Sequence, residues 1–199
     1  MTQRIILASG SEIRQQLLRN AGVDFTVQAP RTDEEMIRTA MEQEAAPPRD
    51  IADALAEHKA LKISRKAPDA LVIGCDQVLD TRGKILSKPP TQDQAIAQLK
   101  KLRGTRHSLL SAVVICENAM PTWRHVGQVH LQMHDLSDAY IAEYVARNWN
   151  SIRHSVGAYK LEEEGARLFS RIEGDYFTVL GLPLLELLSY LSARGVLKR

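Results

Sequence analysis

Apolar residues in the first half of the chain alternate between the spacing of a strand and the spacing of a helix. A short apolar run at residues 5–8 precedes apolar positions at helical spacing over 12–21, and Gly22 stands where a glycine commonly follows a helix. A second short strand is predicted over 24–28. This alternation predicts an α/β architecture.

Capping residues mark where the next helices are expected to begin. Asp50 is predicted to cap a long helix, and Thr32 with Glu35 is typical of a capping box at the start of another. A fully buried strand is predicted over 70–74 and a further helix over 91–102. Strands and helices therefore continue to alternate in this part of the chain.

The middle of the chain is predicted to be β structure. Residues 107–116 and 123–133 have the pattern of two long antiparallel strands joined by a turn. We interpret the chain as a single domain over 1–199 with two lobes, the smaller built mainly from residues 105–150.

The last quarter of the chain is predicted to return to mixed structure. Ser137 is expected to cap a helix that runs through Val145, and residues 148–157 are interpreted as a loop. A short strand over 167–172 and an apolar helix over 184–191 complete the prediction.

Composition and charge narrow the class of protein. The 199 residues are 44% hydrophobic and 25% charged, which is typical of a globular chain and excludes a disordered or fibrous one. The 26 basic and 24 acidic residues nearly cancel, so stable nucleic-acid binding is not expected. Cys75 and Cys116 are predicted to be reduced thiols in apolar strands. The longest apolar run, 109–116, is too short to span a bilayer, and a cytoplasmic protein is therefore expected.

The segment after the first strand has the residue types of a phosphate-binding loop. Ser9 and Ser11 can donate hydroxyl hydrogen bonds, Gly10 allows close approach to the backbone, and a helix N-terminus follows. Arg14 would add a forked cation on the first turn of that helix. An alternative is that Ser9 and Glu12 simply form a capping box, which any helix can use.

A second candidate site is Asp76, predicted at the end of the buried strand. An acidic side chain there is costly unless it faces a cleft, a metal or a hydrogen-bond network, although it can also simply start a turn. Lys59 and Lys88 would each, alone, be solvated surface residues. Together with Asp76 and Arg14 they are typical of a site that binds phosphate oxygens and a divalent metal.

Several short motifs stand in a fixed order along nearly the whole chain. These blocks are residues 7–11, 33–34, 59–60, 74–76, 88–89, 104–108, 157–159 and 181–184. In content and order they resemble the Maf family of nucleoside triphosphate pyrophosphatases. The resemblance implies a Maf/ITPase-like elongated mixed sheet flanked by helices, with two lobes around a central cleft. It also implies a homodimer, and roles in removing non-standard nucleotides and in cell division.

The resemblance implies hydrolysis between the α- and β-phosphates of a nucleoside triphosphate. Asp76 would orient or deprotonate the attacking water, and Asp76 with Glu34 would hold Mg²⁺ or Mn²⁺. The cations Lys59, Lys88 and Arg14 would neutralise phosphate oxygens. Ser9 and Ser11 would anchor the phosphate chain.

The subgroup within the family is indicated by two further positions. Gln77 after Asp76 resembles the 7-methyl-GTP pyrophosphatase branch, and Glu162 stands where the branch that prefers dTTP and UTP has glutamine. A carboxylate can accept hydrogen bonds from the N1 and exocyclic amino groups of guanine, so Glu162 is a candidate for base selection. The alternative is that Glu162 is one solvated residue of the acidic run 162–164.

The chain also departs from the family pattern. Glu12 and Ile13 replace a proline and the first of two arginines, and His154 with Ser155 replaces an aspartate and a lysine. These changes keep a second hypothesis open, a nucleotide-binding regulatory protein of cell division with little or no turnover. Our default for His154 is a loop residue without a role.

Overall fold

The computed structural model describes residues 3–197, whose strands form one mixed sheet flanked by helices. The strands are β1 Ile5–Ala8, β2 Thr26–Val27, β3 Leu71–Thr81, β4 Lys84–Leu86, β5 Arg106–Glu117, β6 Met120–Met133 and β7 Phe169–Glu173. Their order is β2-β1-β3-β5-β6-β7, and β4 also pairs with β3. The predicted α/β class with a mixed sheet is confirmed. The division into two lobes stays a prediction.

The helices account for most of the remaining described chain. They are α1 Glu12–Asn20, α2 Glu34–Gln43, α3 Pro48–Ser64, α4 Gln92–Leu102, α5 Asp138–Ile152, α6 Tyr176–Val179 and α7 Leu184–Ala193. Within the described residues, no helix is both long and apolar enough to cross a membrane.

Strand β3 is the centre of the sheet and is longer than predicted. It runs well beyond residue 74, so Asp76 lies inside a strand and the expectation of a strand end there is wrong. One edge of β3 pairs with β5 along nearly its whole length. On its other edge, β1 covers only Leu71–Gly74 and β4 only Leu79–Thr81. Residues 75–78 therefore have no neighbouring strand on that edge, which leaves a gap in the sheet.

Helix α3 packs closely against β3 beside this gap. A Cβ atom built on Gly74 would overlap the carbonyl oxygen of Ala56 and would lie 2.7 Å from the backbone nitrogen of Ala60. Both alanines are fully buried. The absence of a side chain at Gly74 thus sets the distance between the helix backbone and the strand.

Two helix starts differ from the predictions. Helix α2 is capped by Asp33, whose carboxylate accepts a hydrogen bond from the backbone nitrogen of Met36 at 3.0 Å, and not by a Thr32–Glu35 box. Helix α3 begins at Pro48, so Asp50 lies in its first turn and is not the cap. In both cases another suitable residue stands closer to the start of the helix. For α2 it is Asp33, whose carboxylate can cap the helix. For α3 it is Pro48, whose fixed φ suits the first helical position.

The second half of the fold departs from the prediction at two boundaries. Strand β6 begins at Met120, directly after a tight turn at Asn118 and Ala119, both of which have positive φ. Helix α5 continues to Ile152, so the predicted loop over 148–157 is wrong in its first part. Ile152 is buried in the core, and this apolar contact stabilises two further turns. Ser137 caps α5 as predicted, by accepting from the backbone nitrogen of Tyr140.

The core encloses both cysteines as free thiols, as predicted. Burial raises the pKa of Cys75 to about 11 and that of Cys116 to about 12, so neither is a reactive thiolate at neutral pH.

We predict that Gly74→Ala destabilises the protein by about 3 kcal/mol or more, the upper range for overpacking of a core. The added methyl group must push α3 away from β3. Gly83→Ala is the matched control: its Cβ meets open space, and only the left-handed backbone costs about 1–2 kcal/mol. Urea unfolding measures both. Equal losses in the two variants would contradict the close packing.

Candidate active site

A cleft of about 1150 Å³ opens at the gap in the sheet. Its walls come from the β1–α1 loop, α2, α3, β3, the segment after β4, and the segment that follows α5. All nine residues predicted as site residues line it, namely Ser9, Ser11, Arg14, Glu34, Lys59, Asp76, Gln77, Lys88 and Glu162. The fold therefore brings together positions from Ser9 to Glu162, which lie far apart in the sequence.

Lys59 joins the two candidate acidic residues at the bottom of this cleft. Its ammonium donates to Asp76 Oδ1 at 2.5 Å and contacts Glu34 Oε1 at 2.9 Å. Lys59 and Asp76 are each only 7% exposed. The close packing of α3 at Gly74 carries Lys59 to this position. A charged pair this deeply buried is costly to desolvate, which is typical of a functional site.

The carboxylate of Glu34 is held in its ionised form. Burial by itself would raise the pKa of Glu34, but the adjacent Lys59 ammonium lowers it below the usual value, with smaller contributions from Lys88 and Arg14. Five basic and five acidic side chains line the whole cleft, so its formal charge is balanced. Lys59, Lys88 and Arg14 are nevertheless gathered around Glu34 and Asp76, and this local group of cations can bind an anionic ligand.

Arg14 uses much of its guanidinium within the protein. Nε donates to the carbonyl oxygen of Gly181 at 2.7 Å, and Nη1 donates to the carbonyl oxygen of Cys75 at 2.9 Å. The Cys75 carbonyl lies in the gap of β3, where no strand supplies a partner. Arg14 thus stabilises the open edge of the sheet while it lines the cleft.

The β1–α1 loop does not form the capping box considered from the sequence. Ser11 is the N-cap of α1, and its side chain makes no capping hydrogen bond. Ser9 is buried, and its Oγ accepts from the backbone nitrogen of Ser11 at 3.3 Å and from Arg14 at 3.4 Å. The loop is therefore folded by Ser9, while Ser11 and Glu12 lie on the cleft wall.

Gln77 points to the opposite face of β3 from Asp76, because side chains alternate along a strand. Its amide nitrogen donates to Ser111 Oγ at 2.9 Å and to the carbonyl oxygens of Val179 at 2.9 Å and Thr178 at 3.2 Å. The amide nitrogen thus ties β3 to the segment around α6, which also lines the cleft.

Glu162 lies on the wall formed by the segment after α5. It is exposed and borders the cleft together with Lys160 and Tyr159. His154 borders the cleft as well. The other two glutamates of the acidic run are not part of the cleft lining: Glu163 contacts Ser151 and Lys160, and Glu164 contacts Arg147 and Asn148.

Comparison with known proteins agrees with this geometry. A family model described as Maf-like protein matches residues 4–194. The chain belongs to the Maf family. Proteins named nucleoside triphosphate pyrophosphatase from Roseobacter denitrificans and Ruegeria pomeroyi are 67% and 64% identical to it, over 100% and 99% of both chains. A protein named 7-methyl-GTP pyrophosphatase from Brucella abortus is 44% identical over 96% of both chains.

The cleft of this Maf protein also includes residues that the sequence analysis missed. Arg38 lines it from α2, and Gln94 and Gln98 line it from α4. Arg38 stands four residues after Glu34 on the same helix, a spacing that places both side chains on one face. That spacing was a usable signal for Arg38. For the two glutamines no local signal existed, because only the tertiary fold brings α4 to the cleft.

We expect Arg14→Lys to lower the free energy of unfolding by about 1–3 kcal/mol, the range for hydrogen bonds from a charged donor. A single ammonium cannot bond the Gly181 and Cys75 carbonyls as the guanidinium fork does. Arg19→Lys on the same helix is the control and should change stability by less than about 0.5 kcal/mol. Urea unfolding gives both values. Weakened nucleotide binding at unchanged stability would show that Arg14 acts only on the ligand.

Proposed function

We propose that this Maf protein is a nucleoside triphosphate pyrophosphatase, which converts a nucleoside triphosphate and water into a nucleoside monophosphate and pyrophosphate. The observation that carries the proposal is the buried Asp76–Lys59 pair with the half-exposed Glu34 beside it, inside a cleft that Arg14 and Lys88 also line. The names of relatives at 61–67% identity over the full chain support it. The same observations do not favour a regulatory protein without turnover.

In this mechanism Asp76 orients the attacking water and accepts its proton. Only Oδ1 of Asp76 is bonded to Lys59, and Oδ2 has no hydrogen-bond donor among residues 3–197. The water oxygen attacks the α-phosphorus, the bond to the bridging oxygen breaks, and pyrophosphate leaves. Lys59, Lys88 and Arg14 stabilise the charge that develops on the phosphate oxygens.

The donor set fits Mg²⁺ or Mn²⁺ bound jointly with the substrate. The described residues include no cluster of three or more histidine, cysteine or acidic side chains suited to hold an ion alone. Asp76 and Glu34 supply carboxylate oxygens, and Mg²⁺ commonly takes one or two carboxylates plus substrate phosphates and water. When bound, the ion would polarise the phosphate oxygens and lower the pKa of a bound water.

The substrate we propose is 7-methyl-GTP or a related nucleotide. Glu162 supports this choice, because an exposed carboxylate on the cleft wall can accept hydrogen bonds from the Watson–Crick edge of a guanine. The Brucella abortus relative named for 7-methyl-GTP is consistent with it. The homodimer that the family resemblance implies and the cytoplasmic location expected from the apolar pattern both stay predictions.

The reaction is tested with Asp76→Asn, which we expect to lower kcat by at least about 100-fold, the contribution of a general base. Pyrophosphate release is measured with Mg²⁺ or Mn²⁺ on 7-methyl-GTP, GTP, UTP, CTP and dTTP. Asp80→Asn is the control, since Asp80 lies on the same strand but outside the cleft and accepts from the Gly83 nitrogen in the β3–β4 turn. Tight nucleotide binding without turnover in wild type and Asp76→Asn alike would refute the enzyme and favour the regulatory hypothesis.

Base selection is tested with Glu162→Gln. We expect the kcat/KM ratio of guanine to pyrimidine nucleotides to fall about tenfold, because an amide loses an acceptor and gains a donor. Glu44→Gln, an exposed glutamate outside the cleft, should leave the ratio unchanged. An unchanged ratio in Glu162→Gln would mean that this carboxylate is only solvated.

A further inference from the structure

Two polar side chains are buried together behind residues 160–162, the part of the cleft wall that includes Glu162. Tyr159 is 4% exposed and His107, on β5, is 3% exposed. The Tyr159 hydroxyl and His107 Nε2 are 2.8 Å apart and hydrogen-bonded. Tyr159 borders the cleft, whereas His107 lies behind it. This pair is not used by the reaction proposed at Asp76.

The hydrogen bond between Tyr159 and His107 restrains the start of the segment 159–162 in addition to the apolar packing there. The Tyr159 ring packs edge-on against Phe169 at 4.8 Å and tilted against His107 at 5.7 Å, contacts that a phenylalanine could also make. A buried hydroxyl is costly unless it is hydrogen-bonded. The bond to His107 therefore adds a directional restraint on Tyr159 to the packing of its ring.

The cleft wall follows directly from Tyr159 along the chain. Lys160, Leu161 and Glu162 border the cleft in sequence. On the outer side, Glu163 bonds Ser151 of α5 at 2.8 Å. The segment is thus held at its exposed end by a surface contact and at its buried end by the Tyr159–His107 hydrogen bond.

We propose that His107 and Tyr159 are positioning residues that set the place of the 160–162 wall and thereby the selection of the nucleotide base, without acting on the hydrolysis at Asp76. The inference rests on the proposed function and deepens it. Burial lowers the pKa of His107 to about 4, so the pair is uncharged at neutral pH. A neutral pair can position the wall without adding charge to the phosphate site.

The test compares Tyr159→Phe with wild type in steady-state pyrophosphate release. Loss of one hydrogen bond should raise KM for the preferred nucleotide about fivefold and lower the kcat/KM ratio between two bases by a similar factor. We expect kcat to stay within about twofold, since Asp76 and Lys59 are untouched. His107→Phe should give the same change, and the double variant should be no worse than either single one.

Tyr144→Phe is the matched control. Tyr144 is fully buried in the same core cluster, but its hydroxyl has no hydrogen-bond partner among the described residues. It does not border the cleft, so KM and the base ratio should match wild type. Unfolding by urea is measured for every variant, which separates a change in stability from a change in selection.

Two results would overturn the proposal. One is a Tyr159→Phe protein of lower stability whose KM and base ratio match wild type, and the other is a fall in kcat at unchanged KM. Calorimetric titration with α,β-methylene analogues of GTP and UTP measures base preference without turnover. A wild type that binds both analogues but releases no pyrophosphate would refute the proposed function alone, while the titration of Tyr159→Phe still decides the role of the pair.

Discussion

The gap in strand pairing along β3 is the constraint on which the cleft depends. A strand edge buried in a sheet must have its backbone groups bonded, yet residues 75–78 meet neither β1 nor β4. Arg14 supplies a donor for the Cys75 carbonyl, and the loop folded by Ser9 holds Arg14 nearby. One backbone group of the open edge is thereby bonded without a strand, and the space beside that edge forms the cleft.

The same region concentrates charges that a core would normally exclude. Lys59 and Asp76 are nearly buried, and desolvation of each is offset only because the two are paired and Glu34 lies beside them. Removing Lys59 would leave two neighbouring carboxylates without the cation they share. Lys88 and Arg14 place two further cations around the same space.

Elements were predicted correctly from the sequence where the local pattern of residues is compatible with only one type of secondary structure. The short strand β1, the helix α4 and the capping of α5 by Ser137 follow from apolar spacing and capping chemistry. It was wrong where neighbouring residues competed for one role, as Asp33 did with Thr32. It also ended β3 too early, since the strand continues through polar residues that its pairing with β5, and near its end with β4, keeps extended.

The sequence by itself determined the family, the order of the elements and the chemistry available to the site, because motif order and residue type are local properties of the chain. Only the tertiary structure decided how that chemistry is arranged. It placed Asp76 within a strand and not at its end, and it directed Arg14 to backbone carbonyls. It also buried Tyr159 against His107, 52 residues away in sequence. Such contacts depend on which elements the completed fold brings together, and no local pattern encodes that.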